Sequence, residues 1–461
     1  MNRITTLLLF FFVTFSTANA QSKENKLLEK NIDDLISGKL SSLSPGCVVL
    51  VAKKGKVIYE KSFGSANIEL NTPMQPEMIF RIGSMTKQYT AIAILQLVEQ
   101  GKISLQDSIQ RFINDFPYKG YTITIENLLT HTSGITDYEV LDAHIPNAIR
   151  IDFPAKQLID SFAKLPLEFI PSTKYNYSNS NYFLLGYIIE KVSGQSYKQY
   201  LLENLFKPAG LASTFYDSPS QIITNRVNGY IKDSAGYKNA GYLSMSMVYS
   251  AGALLSNVSD VFKWHQALYA YKLVKKETLE KAFTPYKLKD GKLTQYGYGW
   301  FIKDFQESPS IGHGGAIDGF RSMEFYLPDQ DIFVAALFNS ENDAVIDLVD
   351  NISMLAIGKT LPSYKDLKLA DSVLNRYTGT YKFITDDTSL NVSLKIYNNK
   401  GRLYGDLSNG TGSGMIFLPQ SETNFVLAIR TPTSVDFIIE KGKVTKMIWV
   451  QKKKTELIKV E

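Results

Sequence analysis

The sequence places a serine and a lysine three residues apart, at Ser84 and Lys87, where a predicted helix begins. Residues at this spacing share one face of a helix, so the lysine amine can reach the serine hydroxyl. A serine hydroxyl is a poor nucleophile and needs a base, and Lys87 can be that base if burial or nearby positive charge lowers its pKa. The alternative is a helix cap beside a solvated lysine. The second pair with this spacing, Ser161 and Lys164, is interpreted as a solvated helix face.

The stretch Tyr177-Ser178-Asn179 stands just before another predicted helix. Tyr177 can share the serine proton and later deliver it to a leaving group. The amide of Asn179 can orient Lys87 or a substrate carbonyl. The chain contains 27 tyrosines, so an ordinary tyrosine followed by a turn or N-cap asparagine is the alternative interpretation.

A third motif, His313-Gly314-Gly315, lies between two predicted strands. Its glycines let the backbone approach a substrate closely, and backbone N–H groups of Ser84 and of the residue after the glycine pair could hold an oxyanion. A purely structural histidine is the alternative. The four histidines show no metal-ligand spacing, and neither a G-x-S-x-G elbow nor a phosphate-binding glycine loop occurs. We therefore predict no metal and no cofactor.

The elements that must position these motifs form an α/β pattern. A β-hairpin is followed by a helical middle, further strands and a long helix, which predicts one sheet with helices on its faces. The predicted strands are Cys47–Ala52, Lys56–Lys61, Gly299–Asp304, Arg321–Leu327 and Ile332–Asn339. The predicted helices are one from Ser84 onward, Thr124–Leu129, Tyr182–Val192, Ser259–Tyr269, Lys276–Ala282 and Asp343–Ile357.

The pattern changes after Gly358, where short alternating strands and turns replace the helices. Residues 359–372 are predicted to be a linker, and residues 373–461 a small all-β barrel or sandwich. Its six predicted strands are Gly379–Tyr381, Leu390–Tyr397, Arg402–Leu407, Asn424–Ile429, Val435–Ile439 and Val444–Val450.

The first twenty residues have the pattern of a secretory signal, with Arg3, the apolar run Leu7–Phe15 and the small-residue site Ala18-Asn19-Ala20. The mature chain is expected to start near Gln21, with no transmembrane segment, in the periplasm or secreted. The only cysteine, Cys47, lies in an apolar run and is predicted to be a buried strand thiol. The net charge of +5 in 461 residues gives no indication of nucleic-acid binding.

Taken together, the motifs resemble those of the serine β-lactamase and penicillin-recognising superfamily, in its class C, D,D-peptidase and esterase branch. The resemblance covers roughly Leu28–Ile357. Four supporting stretches also look familiar: Phe80–Ser84, Leu128–Gly134, Tyr182–Gly186 and Ser250–Gly252. The C-terminal region resembles the lipocalin-like domain that is appended to some members of this branch.

This resemblance implies an α+β domain with an antiparallel sheet flanked by helices at residues 21–358, followed by the small barrel. It implies that Ser84 is acylated and that Lys87 and Tyr177 transfer protons. It implies backbone oxyanion donors at Ser84 and Ala316. The substrate-positioning residues that it implies are Asn179, His313, Gly314 and Gly315.

Two departures from the family pattern bear on the substrate. His313 stands where class C β-lactamases carry a lysine, and the threonine of their third motif is missing, so a substrate carboxylate would be held less firmly. Ile170-Pro171-Ser172 replaces a Pro-Gly turn. We therefore expect an exported serine hydrolase of D,D-peptidase or esterase type rather than a dedicated β-lactamase. Its substrates would be small acyl esters or D-amino-acid peptides, including cell-wall fragments. The alternative is a sensor or peptidoglycan-binding protein that does not turn over.

Overall fold

The computed structural model of the chain describes residues 24–37, 40, 43–143, 148–233, 236–341, 344–361, 364–384, 392–408, 414–427, 433–451 and 454–460. The predicted signal segment and His144 lie outside these ranges. The chain divides into two compact units between Lys359 and Thr360. No helix within the described ranges is long and apolar enough to cross a membrane.

The first unit contains thirteen described strands, in four sheets. They are β1 Cys47–Lys53, β2 Lys56–Phe63, β3 Ser65–Asn67, β4 Thr72–Pro73, β5 Phe80–Arg81, β6 Phe215–Tyr216, β7 Tyr230–Asp233, β8 Gly236–Asn239, β9 Leu254–Ser256, β10 Phe301–Phe305, β11 Ser308–Ile317, β12 Phe320–Leu327 and β13 Ile332–Phe338. The main sheet has six antiparallel strands in the order β10-β11-β12-β13-β1-β2.

The helices of the first unit pack on both faces of this sheet or form a helical region beside it. They are α1 24–37, α2 Thr86–Glu99, α3 Ile125–Leu129, α4 Ala155–Ala163, α5 Asn179–Ser193, α6 Tyr197–Leu201, α7 Lys207–Ala209, α8 Met245–Gly252, α9 Val258–Tyr269, α10 Lys276–Ala282 and α11 Ala344–Ala356. The predicted hairpin and the main predicted helices are confirmed, with ends that differ by a few residues.

The central strands β1 and β13 are apolar along nearly their whole length because both faces of the sheet are covered. Alternate residues of β1 enter different cores. Val48 and Leu50 pack in the large core with α2 and α9. Cys47, Val49 and Val51 pack against the first helix and α11. Cys47 is fully buried in this strand, as predicted, and burial raises the pKa of its thiol.

The strand that carries the third motif was not predicted. His313-Gly314-Gly315 belongs to the ten-residue strand β11, second from the edge of the main sheet. Pairing with the edge strand β10 ends at Phe301 opposite Gly312. Beyond that point β11 pairs with β12 alone, so residues 313–317 present one backbone edge to the helical region.

The second unit is a closed antiparallel barrel of eight strands. They are β14 Gly379–Phe383, β15 Ser393–Asn398, β16 Leu403–Leu407, β17 Met415–Pro419, β18 Asn424–Leu427, β19 Thr433–Glu440, β20 Lys443–Val450 and β21 Lys454–Lys459. The short helix α12, Asp371–Leu374, precedes them, and its Leu374 packs in the barrel core with Tyr377 and Phe437. The predicted fold class, an α+β domain followed by a small all-β barrel, is confirmed.

Candidate active site

Ser84 lies in a tight turn that the main sheet holds in place. A 3-10 turn spans Gly83–Met85, and α2 starts directly after it at Thr86. Gly83 has φ +51, a conformation that glycine adopts at little cost. The preceding carbonyl oxygen, of Ile82, accepts a hydrogen bond of 2.8 Å from the Ser322 hydroxyl on β12. The hydroxyl of Ser84 therefore stands half-buried at the junction of the sheet and the helical region.

Lys87 is fully buried in the first turn of α2, and its amine contacts three oxygens. Its Nζ lies 2.7 Å from Asn179 Oδ1, 2.9 Å from the Ala251 carbonyl oxygen and 3.0 Å from Ser84 Oγ. The first two oxygens can only accept hydrogen bonds. A neutral amine would donate its two N–H groups to these two oxygens, and its lone pair would then point at the Ser84 hydroxyl.

The surroundings of Lys87 favour its neutral amine, the form that can accept a proton. Burial lowers the pKa of its ammonium group from the ordinary 10.5 to about 7, against an opposing influence of the Asp137 and Glu139 carboxylates. The ring centroid of Tyr177 lies 4.7 Å from Nζ. A base with a pKa close to neutrality is most effective near neutral pH because much of it is already deprotonated.

Tyr177 lies beside both the serine and the lysine. It hydrogen-bonds to the Ser84 side chain, and burial raises the pKa of its phenol far above the ordinary value. The ring stacks on His131, with centroids 4.3 Å apart. His131 also accepts a 3.1 Å hydrogen bond from the Ser178 backbone N–H. His131 therefore fixes the position of the second motif, and burial lowers the pKa of its imidazole well below the usual range.

Asn179 is the first residue of α5 and connects Lys87 with two acidic residues. Its backbone N–H donates to Asp137 Oδ2 at 2.6 Å, and its side-chain Nδ2 donates to Glu139 Oε1 at 2.7 Å. Asp137 thus satisfies one of the N–H groups that the start of a helix leaves without a partner. Both ends of the Asn179 amide are engaged, so its orientation is fixed.

His313 is buried beside this cluster, and both of its ring nitrogens are engaged. Nδ1 lies 2.6 Å from the Gly314 carbonyl oxygen, which can only accept, so Nδ1 carries the proton. Nε2 then accepts from the Tyr296 hydroxyl at 3.1 Å. Burial, helped by the nearby Lys87, lowers the pKa of the imidazole to about 3. The side chain is neutral at physiological pH and contributes to the packing around Tyr177.

The glycines of the third motif allow β11 to contact the turn at Ser84. A Cβ added at Gly315 would lie 1.9 Å from the Ile82 carbonyl oxygen, and one at Gly83 would lie 3.1 Å from the Ala316 nitrogen. An added Cβ at Gly314 would have more room, because its nearest neighbour, Met323 Cε, would lie 3.1 Å away. The backbone nitrogen of Ala316 is therefore brought close to the turn that carries Ser84.

Comparisons with known proteins agree with this geometry. Residues 32–359 match the sequence profile of the Beta-lactamase family. The chain belongs to this family. It is 30% identical over 408 residues to penicillin-binding protein 4* of Bacillus subtilis, covering 82% of this chain and 87% of the relative. It is also 30% identical to the putative penicillin-binding protein PbpX of the same organism, over 73% of this chain and 80% of the relative.

A solved structure extends the likeness to the second unit. The octameric penicillin-binding protein homologue from Pyrococcus abyssi matches with a TM-score of 0.67 and 26% identity, over 93% of this chain and 99% of its own. The predicted membership of the β-lactamase and penicillin-recognising superfamily is confirmed, and the eight-stranded barrel agrees with the predicted lipocalin-like domain.

The structure of this Beta-lactamase family member brings all three predicted motifs to one place. The second S-x-x-K pair stands apart, because the Ser161 hydroxyl donates to the Leu158 carbonyl oxygen and Lys164 is exposed. Two contributors were given no role by the sequence analysis, although Ala251 lies in the supporting stretch Ser250–Gly252. Ala251 acts through a backbone carbonyl, which leaves no trace in residue type. Glu139 lies in an ordinary acidic stretch, 40 residues before Asn179.

Proposed function

We propose that the chain is a serine hydrolase that works through an acyl-enzyme at Ser84. One observation supports this most strongly. The buried Lys87 amine has two carbonyl acceptors, on Asn179 and Ala251, and its remaining direction faces the Ser84 hydroxyl at 3.0 Å. A lysine that merely capped a helix would be solvated and would keep an ordinary pKa.

In the proposed acylation step, neutral Lys87 accepts the Ser84 proton while Oγ bonds to the substrate carbonyl carbon. The carbonyl electrons move onto the oxygen, where the backbone N–H groups of Ser84 and Ala316 would stabilise the negative charge. When the intermediate collapses, Tyr177 gives its proton to the departing amine or alcohol and regains one from the Lys87 ammonium. The acyl group remains on Ser84, and Lys87 is neutral again.

Deacylation repeats these steps with water as the nucleophile. Neutral Lys87 accepts a proton from water, relayed through the Tyr177 hydroxyl, as the water attacks the ester carbonyl. The Lys87 ammonium then returns this proton to the Ser84 oxygen as that oxygen leaves. The high pKa of the Tyr177 phenol suits this role, because the side chain remains protonated and can relay a proton without holding a negative charge.

The proposed substrates are amides or esters of the D,D-peptidase and esterase type rather than β-lactams. The relatives are named as penicillin-binding proteins, and because penicillin is itself an amide, these names support an amide-type substrate. Against a dedicated β-lactamase, His313 is neutral and both of its nitrogens are engaged, so it offers no charge to a substrate carboxylate. We also propose that the chain is exported after loss of residues 1–20, and that residues 21–358 form the catalytic domain, residues 359–372 a linker and residues 373–461 the barrel domain.

The test is hydrolysis of a matched substrate panel by the purified mature protein. The panel contains a short-chain p-nitrophenyl ester, D-alanyl and L-alanyl p-nitroanilides and a chromogenic cephalosporin. Ser84→Ala should abolish hydrolysis without unfolding the protein, whereas Ser161→Ala in the other S-x-x-K pair should leave it intact. Turnover that survives in the Ser84→Ala protein would refute the proposal, and absence of turnover across the panel would favour the sensor alternative.

A further inference from the structure

Two carboxylates stand beside Asn179, and the proposed mechanism uses neither of them. Both oxygens of Asp137 are occupied by backbone donors, since Oδ2 accepts from the Asn179 N–H at 2.6 Å and Oδ1 from the Glu139 N–H at 3.0 Å. Asp137 therefore holds the loop to the start of α5, and its role is structural.

Glu139 differs from Asp137 in exposure and in how its oxygens are used. The residue is exposed, in the 3-10 turn Tyr138–Ala143. Its Oε1 accepts from the Asn179 side chain at 2.7 Å. Its other oxygen, Oε2, has no hydrogen-bond partner among the residues that the structure describes. Glu139 thus presents a carboxylate oxygen to solvent beside the catalytic cluster.

Asn179 links this carboxylate to the reacting centre. The same amide contacts Glu139 through Nδ2 and Lys87 through Oδ1, each at 2.7 Å. In an α-amino acid derivative, the amino nitrogen lies only about 2.5 Å from the carbonyl carbon that is attacked. A substrate whose carbonyl is placed at Ser84 therefore keeps its α-amino group close to the reacting centre, to which Asn179 connects Glu139.

The local charges favour a cation at this position. Although Glu139 is exposed as a residue, the protein around its carboxyl removes part of the hydration, and this desolvation together with the neighbouring Asp137 raises the pKa of the carboxyl. The two acids repel each other, and a nearby positive charge would relieve the repulsion. His313 and His131 are neutral. Besides Lys87, Lys303 on the edge strand β10 is the cation that lowers the pKa of His313. Its ammonium group lies 4.6 Å from the Phe301 ring centroid.

We propose that Glu139 is a specificity-determining residue that binds the protonated α-amine of the acyl part of the substrate. The preferred substrates are then amides or esters of amino acids, or peptides, with a free amino terminus. This inference rests on the proposed function for the reacting centre but makes a separate claim about recognition.

The test compares free and acetylated forms of one substrate. kcat/KM is measured for alanine p-nitroanilide and N-acetylalanine p-nitroanilide, in both D and L forms, with the wild-type protein, Glu139→Gln and Glu168→Gln. Glu168 is an exposed acid near the same loop that bonds to Asn176 instead of Asn179, so its variant controls for the loss of one negative charge. In parallel, binding of alaninamide and N-acetylalaninamide to the Ser84→Ala protein, with and without Glu139→Gln, is measured by calorimetry.

We expect the wild-type protein to prefer the free amine. Glu139→Gln should lower kcat/KM for the free-amine substrate by about 10- to 100-fold, as for the loss of a hydrogen bond to a charged group, and change the acetylated one by less than about threefold. Glu168→Gln should change neither. Equal losses for both substrates in Glu139→Gln would overturn the inference, because Glu139 would then act only by orienting Asn179.

The binding experiment separates the two proposals. If the Ser84→Ala protein binds alaninamide more tightly than its acetylated form, and Glu139→Gln removes the difference, the amine site stands even when the wild-type protein hydrolyses nothing and the proposed function fails. If neither form binds, or both bind equally, the amine site is refuted even when Ser84-dependent hydrolysis is observed.

Discussion

Raising the pH through neutrality should activate acylation, because Lys87 must lose its proton before it can accept one from Ser84. An ordinary lysine with a pKa of 10.5 is only about 0.03% neutral at pH 7, whereas a pKa of about 7 leaves roughly half of the molecules with a neutral amine. Burial of Lys87 therefore makes the reactive form about a thousand times more abundant at neutral pH.

The assay is kcat/KM for a p-nitrophenyl ester without an ionisable acyl group, followed at the isosbestic wavelength of the product from about pH 5 to about pH 10. We expect a tenfold rise per pH unit below about 7 and a plateau above it. Because Glu139 raises the pKa of Lys87, the Glu139→Gln variant should reach its plateau at a lower pH. Two results would show that Lys87 with a lowered pKa is not the base: a kcat/KM that still rises tenfold per pH unit above about pH 9, or a kcat/KM that does not change with pH.

Three further changes follow from the same contacts. Asn179→Leu removes the 2.7 Å acceptor of the Lys87 amine and should lower kcat/KM by about 10- to 100-fold, with near-native thermal unfolding; unchanged kinetics would contradict the role of this amide. Gly315→Ala places a methyl group 1.9 Å from the Ile82 carbonyl oxygen and should lower the free energy of unfolding, measured by denaturant titration, by about 2 kcal/mol or more. The control is Gly252→Ala, which should be tolerated because no atom lies closer than 3.4 Å to the added methyl group. Because the pKa of Lys87 is lower in the folded state than in the unfolded state, unfolded chains bind more protons between about pH 7 and 10.5. In this pH range, the free energy of unfolding of the wild-type protein should rise by up to about 1.4 kcal/mol per pH unit relative to that of Lys87→Met. If the two proteins gave parallel curves of unfolding free energy against pH, the pKa of Lys87 would not be shifted.

Strong local signals in the sequence predicted most of the first unit. The hairpin of β1 and β2 has two apolar runs around a Lys-Gly turn, and α5 ends at Gly194 in the left-handed conformation with φ +71, as the Ser-Gly stop indicated. The strand β11 was missed because its sequence, SPSIGHGGAI, contains one proline and three glycines, which are depleted in strands. Those glycines serve close backbone contacts instead, and only the tertiary structure shows them.

In the barrel and in the site too, local sequence patterns predicted some features, whereas others depend on contacts between distant residues. Six of the eight barrel strands followed from alternating patterns, whereas β17 and β21 did not stand out from the turns around them. The residue types of the three motifs indicated their chemistry, but the engagement of both His313 nitrogens depends on Tyr296, 17 residues away. The departure at Ser172 also has a physical basis: its φ is +68, where the family pattern has glycine, and its hydroxyl accepts from Asn127 Nδ2 at 2.8 Å.

Covalent acylation of Ser84 is tested most directly by peptide mass spectrometry after rapid acid quenching. The mature protein is mixed with an alanyl or short-chain p-nitrophenyl ester, quenched within the first turnover and digested. We expect an added acyl mass on the peptide that contains Ser84, absent in Ser84→Ala and present in Ser161→Ala. Turnover without an adduct in the first turnover, or an adduct on a peptide without Ser84, would contradict it.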